Sequence, residues 1–255
     1  MKTSTILTPF FLNSPLPGLE SLKEWDWIVN RPPLPEAGQM EQMAIIHQSL
    51  ALSVEKACIE ENLPVSIAGD CCTVVGMLAG LVRAGLDPLL IWFDAHGDFN
   101  TLETSPSGFL GGMPLAMLVG KGDQTLLESL DLDPIAEEKV ILTDARDLDP
   151  EEKILVSRSL VTHLQDPAEL LDYTFSGHPL WVHFDTDVLD PEDVPAQNYP
   201  APGGIRKEKL KEVFKYLAGT EQIKAVSLSS WAPGLPGAEQ SRDVSLELLN
   251  VLFSN

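Results

Sequence analysis

The run Leu89–Phe93 (LLIWF) most constrains the fold, because it is apolar at every position. A strand with one face in water alternates apolar and polar residues, whereas a strand without polar positions is covered on both faces. Comparable short runs recur along the chain and are separated by segments with helical periodicity. This alternation predicts an α/β fold of three αβα layers, in which helices cover both faces of a mostly parallel sheet.

The candidate strands are Thr5–Leu7, Val65–Ala68, Leu89–Phe93, Val140–Thr143, Leu160–His163, Leu180–Phe184 and Ala225–Leu228. The candidate helices are Glu36–Ile59, Val74–Ala84, Pro114–Val119, Pro150–Val156, Pro167–Leu171, Lys207–Leu217 and Arg242–Phe253. The chain contains no internal repeat or convincing linker, so we expect residues 1–255 to form a single domain.

Composition narrows the partners and the compartment. The formal net charge of −21, from 38 acidic and 17 basic residues, would repel nucleic acid and anionic membranes. No apolar run approaches the roughly 20 residues of a membrane span. The opening segment MKTSTILTPFFLNSPLPG favours a first strand and a proline-rich loop over a secretory signal. The three cysteines, Cys58, Cys71 and Cys72, cannot all pair, which favours the reducing cytoplasm.

Three ionisable residues follow the Leu89–Phe93 strand at alternate positions, namely Asp94, His96 and Asp98. In extended backbone these side chains project from the same side and converge at the end of the strand. A surface loop is the less favoured interpretation, because aligned carboxylates repel each other. The pattern therefore predicts a bound divalent cation.

Asp185 and Asp187 repeat the alternate-acid pattern after Leu180–Phe184. The carboxyl ends of parallel strands meet at one edge of a sheet, so both acid pairs are predicted to lie together. Carboxylate oxygens with one imidazole suit Mn or Mg, and five such groups suffice for two ions that share carboxylates and activate a water. His183 is in phase with Asp185 and could be a ligand or could support one, but a packed histidine further back on the strand is the favoured interpretation.

A third strand end carries IAGDCC, in which Asp70 and Cys71 precede a predicted helix. On the residues alone, Asp70 is predicted to cap this helix and Cys71 to be a buried structural cysteine. The chain has no Walker loop, GxGxxG, GxSxG or HExxH motif, so nucleotide-binding, serine-hydrolase and zincin functions find no support.

From about residue 64 to 237 the chain resembles the arginase/agmatinase (ureohydrolase) family. DAHGDFNT is similar to the family's DAHxDxNT, HFDTDVLDP is similar to its SxDxDxxDP, and AGDCC stands in the place of its GGDHS. SPSGFLGGMP stands where the family has an SGxxHGxP loop, and ARDLDPEE resembles its amino-group-binding segment. The resemblance implies an arginase/deacetylase-like fold and a homotrimer or homohexamer.

The resemblance also implies a catalytic centre of two divalent metal ions, with Mn the first expectation. The implied ligands are Cys71, Asp94, His96, Asp98, Asp185 and Asp187. Among them, Asp94 and Asp185 would bridge the ions, and Asp98 would also hold the proton of the attacking hydroxide. The implied reaction is hydrolysis of a guanidine or amidine C–N bond.

The counterparts of Asn100, Ser107 and Asp149 in arginase-like members bind the α-carboxylate and α-amino groups of the substrate. Because all three residue types are retained, the resemblance implies a small arginine-like amino acid as substrate. A decarboxylated amine such as agmatine would offer no α-carboxylate for these residues to bind.

Four positions depart from the family pattern. Cys71 replaces the histidine that holds the first metal, and its softer sulfur favours Zn or Fe over Mn. Gly111 replaces the loop histidine that shuttles protons to the leaving amine. Ser230 stands in place of a glutamate that clamps the guanidinium, and losing such charge-assisted bonds weakens recognition by about 1.5–3 kcal/mol. Tyr199 replaces a small residue.

Two hypotheses follow. In the first, the chain is an active metallohydrolase whose substrate has a less basic head, such as the N-hydroxylated guanidine of hydroxyarginine, which needs neither the glutamate nor a strong general acid. In the second, the chain is a catalytically degenerate member that serves as a binding or structural subunit. We favour hydrolysis, because a buried carboxylate cluster without its metal would be destabilising.

Overall fold

Strands and helices alternate along the computed structural model, which describes residues 2–253. The strands are β1 (Thr3–Thr8), β2 (Phe10–Phe11), β3 (Ser14–Pro15), β4 (Ile28–Val29), β5 (Leu63–Ala68), β6 (Leu89–His96), β7 (Val140–Asp147), β8 (Thr162–Leu164), β9 (Leu180–Asp185) and β10 (Ile223–Ser229). The α-helices are α1 (Gln39–Ile59), α2 (Val74–Arg83), α3 (Pro114–Leu118), α4 (Thr125–Ser129), α5 (Pro150–Arg158), α6 (Lys207–Gly219) and α7 (Ala238–Val251). Short 3₁₀ helices span Pro17–Leu22, Cys71–Thr73, Leu110–Gly112, Glu137–Lys139, Pro167–Asp172 and Thr186–Val188.

Eight strands within residues 2–253 form one sheet, in the order β4-β1-β5-β10-β9-β6-β7-β8. Every pairing of neighbours in this sheet is parallel, as the apolar runs predict. The short strands β2 and β3 form a separate antiparallel hairpin. Since consecutive parallel strands need a crossover, the helices must lie on the faces of the sheet.

The core lies on both sides of the sheet. Along β6, Leu90 and Trp92 belong to the hydrophobic cluster that includes residues of α1 and α2. Ile91 and Phe93 belong to the opposite cluster, which includes residues of α6 and α7. Full burial of each such side chain stabilises the fold by roughly 1.5–3 kcal/mol, so β6 contributes to the packing on both faces of the sheet. The predicted three-layer architecture is confirmed.

Every predicted strand and helix corresponds to an element of the structure, but some boundaries and one helix type were wrong. The predicted ranges Leu160–His163, Pro167–Leu171 and Arg242–Phe253 become the strand Thr162–Leu164, the 3₁₀ helix Pro167–Asp172 and the α-helix Ala238–Val251. The edge strand β4, the β2–β3 hairpin and α4 were not predicted, because two to five residues carry too little periodicity to recognise. Within residues 2–253, no helix has the length and apolar character to span a membrane.

Candidate active site

A cavity of about 200 Å³ opens where the loops leave the carboxyl ends of β5, β6, β7, β9 and β10. This edge of the sheet is where α/β folds place their ligands. The structure brings all of the predicted site residues to the cavity lining: Cys71, Asp94, His96, Asp98, Asn100, Ser107, Asp149, Asp185 and Asp187, together with Gly111, Tyr199 and Ser230. Among the described residues that line it there is no lysine or arginine.

Asp94, His96, Asp98, Asp185 and Asp187 form what we call the acidic floor of this cavity. The predicted convergence is confirmed, but extended backbone throughout was the wrong expectation. Asp98 has a left-handed backbone (φ 48°), and Asp187 lies in a 3₁₀ turn rather than in β9. The register of β6 against β7 also shifts between Asp94 and His96. The side chains therefore meet because the chain turns at each strand end.

One part of the floor is built around His96. Its Nδ1 lies 3.4 Å from Asp94 Oδ1 and 3.1 Å from Asp187 Oδ2. Backbone N–H groups fix both carboxylates: His96 N donates to Asp94 Oδ1 at 2.7 Å, and Ala95 N donates to Asp187 Oδ1 at 3.2 Å. These three side chains offer ligand atoms that all lie within 4.8 Å of one another.

The other part of the floor is built around Asp185. The Cys71 thiol donates to Asp185 Oδ2 at 2.9 Å and lies 3.9 Å from Asp94 Oδ2. Asp185 Oδ2 also accepts hydrogen bonds from Ser229 Oγ at 3.1 Å and from the Ser230 hydroxyl. Cys71 is thus buried, as expected, but it faces the acids rather than apolar core alone. Ser230 binds the floor and presents no charge to the cavity.

A buried glutamate that the sequence analysis missed holds the loop carrying Asp98. Glu152 accepts the backbone N–H of Phe99 at 2.8 Å and that of Asp149 at 3.1 Å. Gly97 lets the loop approach, because a Cβ there would lie 2.7 Å from Glu152 Oε1. Glu152 therefore ties the loop after β6 to the start of α5. The segment DPEE, which forms a capping box at that helix, was the available signal.

The three predicted substrate-binding residues lie toward the opening. Asn100 Nδ2 donates to Asp149 Oδ2 at 3.0 Å, and Thr104 Oγ1 donates to Asn100 Oδ1 at 3.0 Å. Ser107 lies in the exposed loop after β6, where its hydroxyl accepts the backbone N–H of Phe109 at 3.2 Å. The Asn100–Asp149 pair gives one side of the cavity both a donor amide and a carboxylate.

His183 is buried behind the floor, as predicted. Its Nδ1 lies 2.9 Å from Ser227 Oγ, its Nε2 lies 3.5 Å from Ser229 Oγ, and its ring lies 3.9 Å from that of Trp92. Burial lowers the pKa of His183 to about 3, so the ring is neutral. The Trp92 indole N–H donates to Asp94 Oδ2 at 3.1 Å. These partners come from separate strands, so the sequence offered no signal for them.

Burial dominates the electrostatics of the floor. Desolvation, with the charge of neighbouring Asp187, raises the pKa of Asp185 to about 7. Desolvation and the charge of Asp94 raise the pKa of Asp98 well above its usual range. Burial opposes protonation of His96, but hydrogen bonds to Asp187 and Asp94 outweigh it and raise the pKa of His96 to about 12. Without an added cation, the floor therefore retains protons.

The donor set fits divalent cations. Ligand atoms bound at about 2.1 Å around one ion lie about 3 Å apart, which matches the spacing of Asp94, His96 and Asp187. Cys71, Asp94 and His183 offer a second group, whose ligand atoms also lie within 4.8 Å of one another and include one sulfur donor. Asp185 Oδ2 lies 2.9 Å from the sulfur of that group. None of the floor carboxylates forms an ion pair with lysine or arginine in residues 2–253, so nothing but His96 balances their charge. A cation would do so by displacing the retained protons.

Comparison with known proteins identifies the family. The model of the arginase family matches residues 24–252. An arginase of Bacillus subtilis (strain 168) is 34% identical over 81% of this chain and 74% of its own length. The N(omega)-hydroxy-L-arginine amidinohydrolase of Streptomyces lavendulae is 30% identical over 89% of this chain and 80% of its own. The crystal structure of an arginase from Bacillus cereus superposes with a TM-score of 0.86 at 25% identity, covering 100% of this chain and 99% of that one. The chain belongs to the arginase family.

Proposed function

We propose that this protein is a metal-dependent hydrolase that cleaves a guanidine or amidine C–N bond of an arginine-like amino acid with a modified, less basic head. The observation that carries the proposal is the acidic floor, in which five ionisable groups share one cavity without a lysine or arginine. Both an arginase and a hydroxyarginine amidinohydrolase are among the relatives, which supports chemistry at such a carbon.

The proposed ligands would together hold two divalent ions. They are Cys71, Asp94, His96, Asp98, Asp185 and Asp187. Two bound divalent ions would lower the pKa of a shared water so that hydroxide forms near neutral pH. Mn is the proposed metal, with Zn or Fe as the alternatives that the sulfur of Cys71 favours.

The chain's own groups position the substrate and move the proton. Asp98 is the proposed catalytic residue, because its carboxylate has no hydrogen-bonding partner within the described residues and faces the cavity, where it can hold the proton of the attacking water. Asn100 and Ser107 would donate to the α-carboxylate, and Asp149 would accept from the α-amino group. Glu152 keeps Asp98 and Asp149 in fixed relation through its two backbone hydrogen bonds.

The modified head is inferred from Ser230. Its hydroxyl is bonded to Asp185, so it offers no carboxylate to a guanidinium ion. A hydroxyguanidine is less basic than a guanidine, so it does not require that carboxylate. Gly111 offers no group that could protonate the leaving amine. That amine is the same for arginine and hydroxyarginine, and its proton would come from the attacking water by way of Asp98. Hydrolysis of hydroxyarginine would consume one water and release ornithine and hydroxyurea.

The test is product release from hydroxyarginine, arginine, agmatine and formimino amino acids by the protein loaded with Mn, Zn or Fe. We expect the highest kcat/KM for a modified α-amino acid and one to two equivalents of bound metal by elemental analysis. Turnover of agmatine alone would overturn the α-amino-acid assignment. Absence of bound metal after loading would overturn the hydrolase assignment and favour a binding or structural subunit.

Three further proposals accompany this function. The substrate is a small molecule rather than a nucleic acid or a membrane, in keeping with the net charge of −21. The protein works in the cytoplasm, since its cysteines are unpaired within the described residues. It assembles as a homotrimer or homohexamer, which sedimentation equilibrium would test.

A further inference from the structure

Gly111 has no free space beside it, because an aromatic ring fills that space. A Cβ built at position 111 would lie 2.4 Å from both Cε1 and Cζ of Phe109. Atoms at that separation overlap, so a larger residue at 111 would displace the ring. Phe109 itself lines the cavity of the acidic floor. The loop therefore presents apolar surface to the cavity at the place where residue 111 could have presented a polar side chain.

Phe109 is held between two other rings. Phe11, from the β2–β3 hairpin, stacks on it with centroids 6.2 Å apart and planes inclined by 13°. Tyr199, from the segment after β9, lies on it at 5.4 Å and 40°. Aromatic pairs at these separations contribute about 0.5–1.5 kcal/mol beyond their burial. These three residues, which we call the aromatic wall, come from separate parts of the chain and hold one another in place.

Two residues of the aromatic wall, Phe11 and Tyr199, line both the acidic cavity and a second one. The second cavity, of about 460 Å³, is lined by Phe11 and Tyr199 on its shared side and by Leu16, Pro233 and Leu235 among others. No charged side chain of the described residues lines it. Tyr199 is 49% exposed and Leu235 is 38% exposed, so both keep apolar surface that a ligand can cover.

We propose that the aromatic wall and the second cavity form a subsite for an apolar, preferably aromatic, substituent of the substrate. The proposal deepens the proposed function and rests on it for the identity of the reacting head. A guanidino or amidino head would bind over the acidic floor, and its substituent would lie along Phe109 and Tyr199 toward Leu235. Phe11 and Tyr199 line both cavities, so a substituent of a head bound over the floor is the occupant that can reach the second cavity. The natural substrate is then larger than an unsubstituted arginine derivative.

Binding of two simple guanidines tests the subsite without requiring turnover. Isothermal titration of the metal-loaded protein would compare methylguanidine with benzylguanidine. We expect benzylguanidine to bind at least about tenfold tighter, since burying a ring of that size is worth more than one factor of ten. Tyr199→Ala and Leu235→Ala should each reduce this ratio at least about threefold. Leu235 lies outside the acidic cavity, so Leu235→Ala should also leave methylguanidine binding unchanged. Both side chains are partly exposed, so neither variant removes core.

Leu160→Ala is the matched control, because Leu160 is 63% exposed and lies outside both cavities. It should keep the full ratio. Equal binding of the two guanidines, or an unchanged ratio in both Tyr199→Ala and Leu235→Ala, would overturn the subsite. Product release is measured separately. A high ratio without turnover would reject the hydrolase assignment alone, whereas turnover of modified amino acids with a ratio near one would reject the subsite alone.

Discussion

The acidic floor shares its cavity with three of the altered positions, Cys71, Gly111 and Ser230. The position of the floor residues and that of the altered residues depend on different parts of the structure. The floor residues stand at strand ends or in the turns directly after them, where the sheet fixes their positions. Gly111 lies in the loop after β6, and Ser230 lies just past β10 with a left-handed backbone (φ 68°). The floor therefore depends on the sheet, whereas these two positions depend on local loop structure.

The two regions also differ in what a change costs. Removing one floor carboxylate removes a proposed ligand and part of the negative charge that a bound cation would neutralise, so metal binding should weaken. Exchanging a group at Gly111 or Ser230 changes what the cavity presents to a ligand and leaves the floor charges in place. This difference allows one fold to retain metal-based hydrolysis while its substrate changes. Cys71 and Ser230 both donate to Asp185, and Cys71 is intermediate because it is also a proposed metal ligand.

The largest expected effect comes from Asp185→Asn. The substitution keeps the size of the side chain but removes the charge that two ions would share. We expect kcat to fall by more than about 100-fold, the upper limit for groups that only support a metal ligand. Metal content by elemental analysis should fall with it. Asp133→Asn, at an exposed position, is the control and should change neither quantity. Retained metal and activity in D185N would contradict the proposed centre.

The second test uses a buried titratable group outside the site, His47 on α1, where no cation is proposed. Burial lowers the pKa of His47 to about 4, and its Nδ1 has no hydrogen-bond partner among residues 2–253. Between pH 6.5 and 4 the unfolded chain binds a proton at this residue and the folded chain does not. Stability should therefore fall on acidification, by about 3 kcal/mol from His47 alone.

Urea unfolding of metal-free wild type and His47→Gln at pH 7 and pH 4 isolates that contribution, because the floor carboxylates titrate identically in both proteins. We expect the wild type to lose about 3 kcal/mol more than H47Q. Equal losses would show that a buried group without a partner is tolerated in its charged form. Burial alone would then be insufficient to explain the raised pKa values of the floor carboxylates.

Ser230→Glu tests the opposite side of the comparison, where changes should alter substrate choice and preserve the floor. A carboxylate here could form charge-assisted bonds to a guanidinium, worth about 1.5–3 kcal/mol. We expect kcat/KM for arginine to rise about tenfold to hundredfold relative to hydroxyarginine. Ser230→Gln matches the size without the charge and should give no such rise. The same gain in S230Q would show that shape, rather than charge, sets the preference.

The parallel sheet and most of the floor could be predicted from the sequence. The apolar run into Asp94 and His96 and its repetition at Asp185 contain local signals, and topology brings strand ends together regardless of loop details. The convergence was predicted for a partly wrong reason, because Asp98 and Asp187 reach the site through turns rather than through extended backbone. That residues 1–255 form one domain stays a prediction.

The side-chain contacts between separate segments around the site could not be predicted from the sequence. Ser229 reaches Asp185 from a different strand, 44 residues away in sequence. Phe11 and Phe109 meet only because the hairpin folds over the loop after β6. Such pairs leave no periodicity in the chain, since neither partner is spaced regularly from the other. The burial of Cys71 was predicted, but its 2.9 Å contact with Asp185 was not, because the two residues lie on different parts of the chain.

Cys71→His should produce the smallest effect and addresses the position between the two regions. Desolvation and the charge of Asp185 raise the pKa of the Cys71 thiol well above its usual range, so a metal must displace its proton in order to bind sulfur. Imidazole offers a nitrogen donor, which suits Mn better than sulfur does. We expect the affinity ratio of Mn to Zn to rise by about tenfold, equivalent to about 1.4 kcal/mol, in competition titrations.

Cys72→Ser is the control, because Cys72 is buried beside Cys71 but its sulfur contacts the Leu110 carbonyl at 3.7 Å. An unchanged ratio in C71H, or the same shift in C72S, would remove Cys71 from the metal centre and leave the floor carboxylates and His96 as its only proposed ligands.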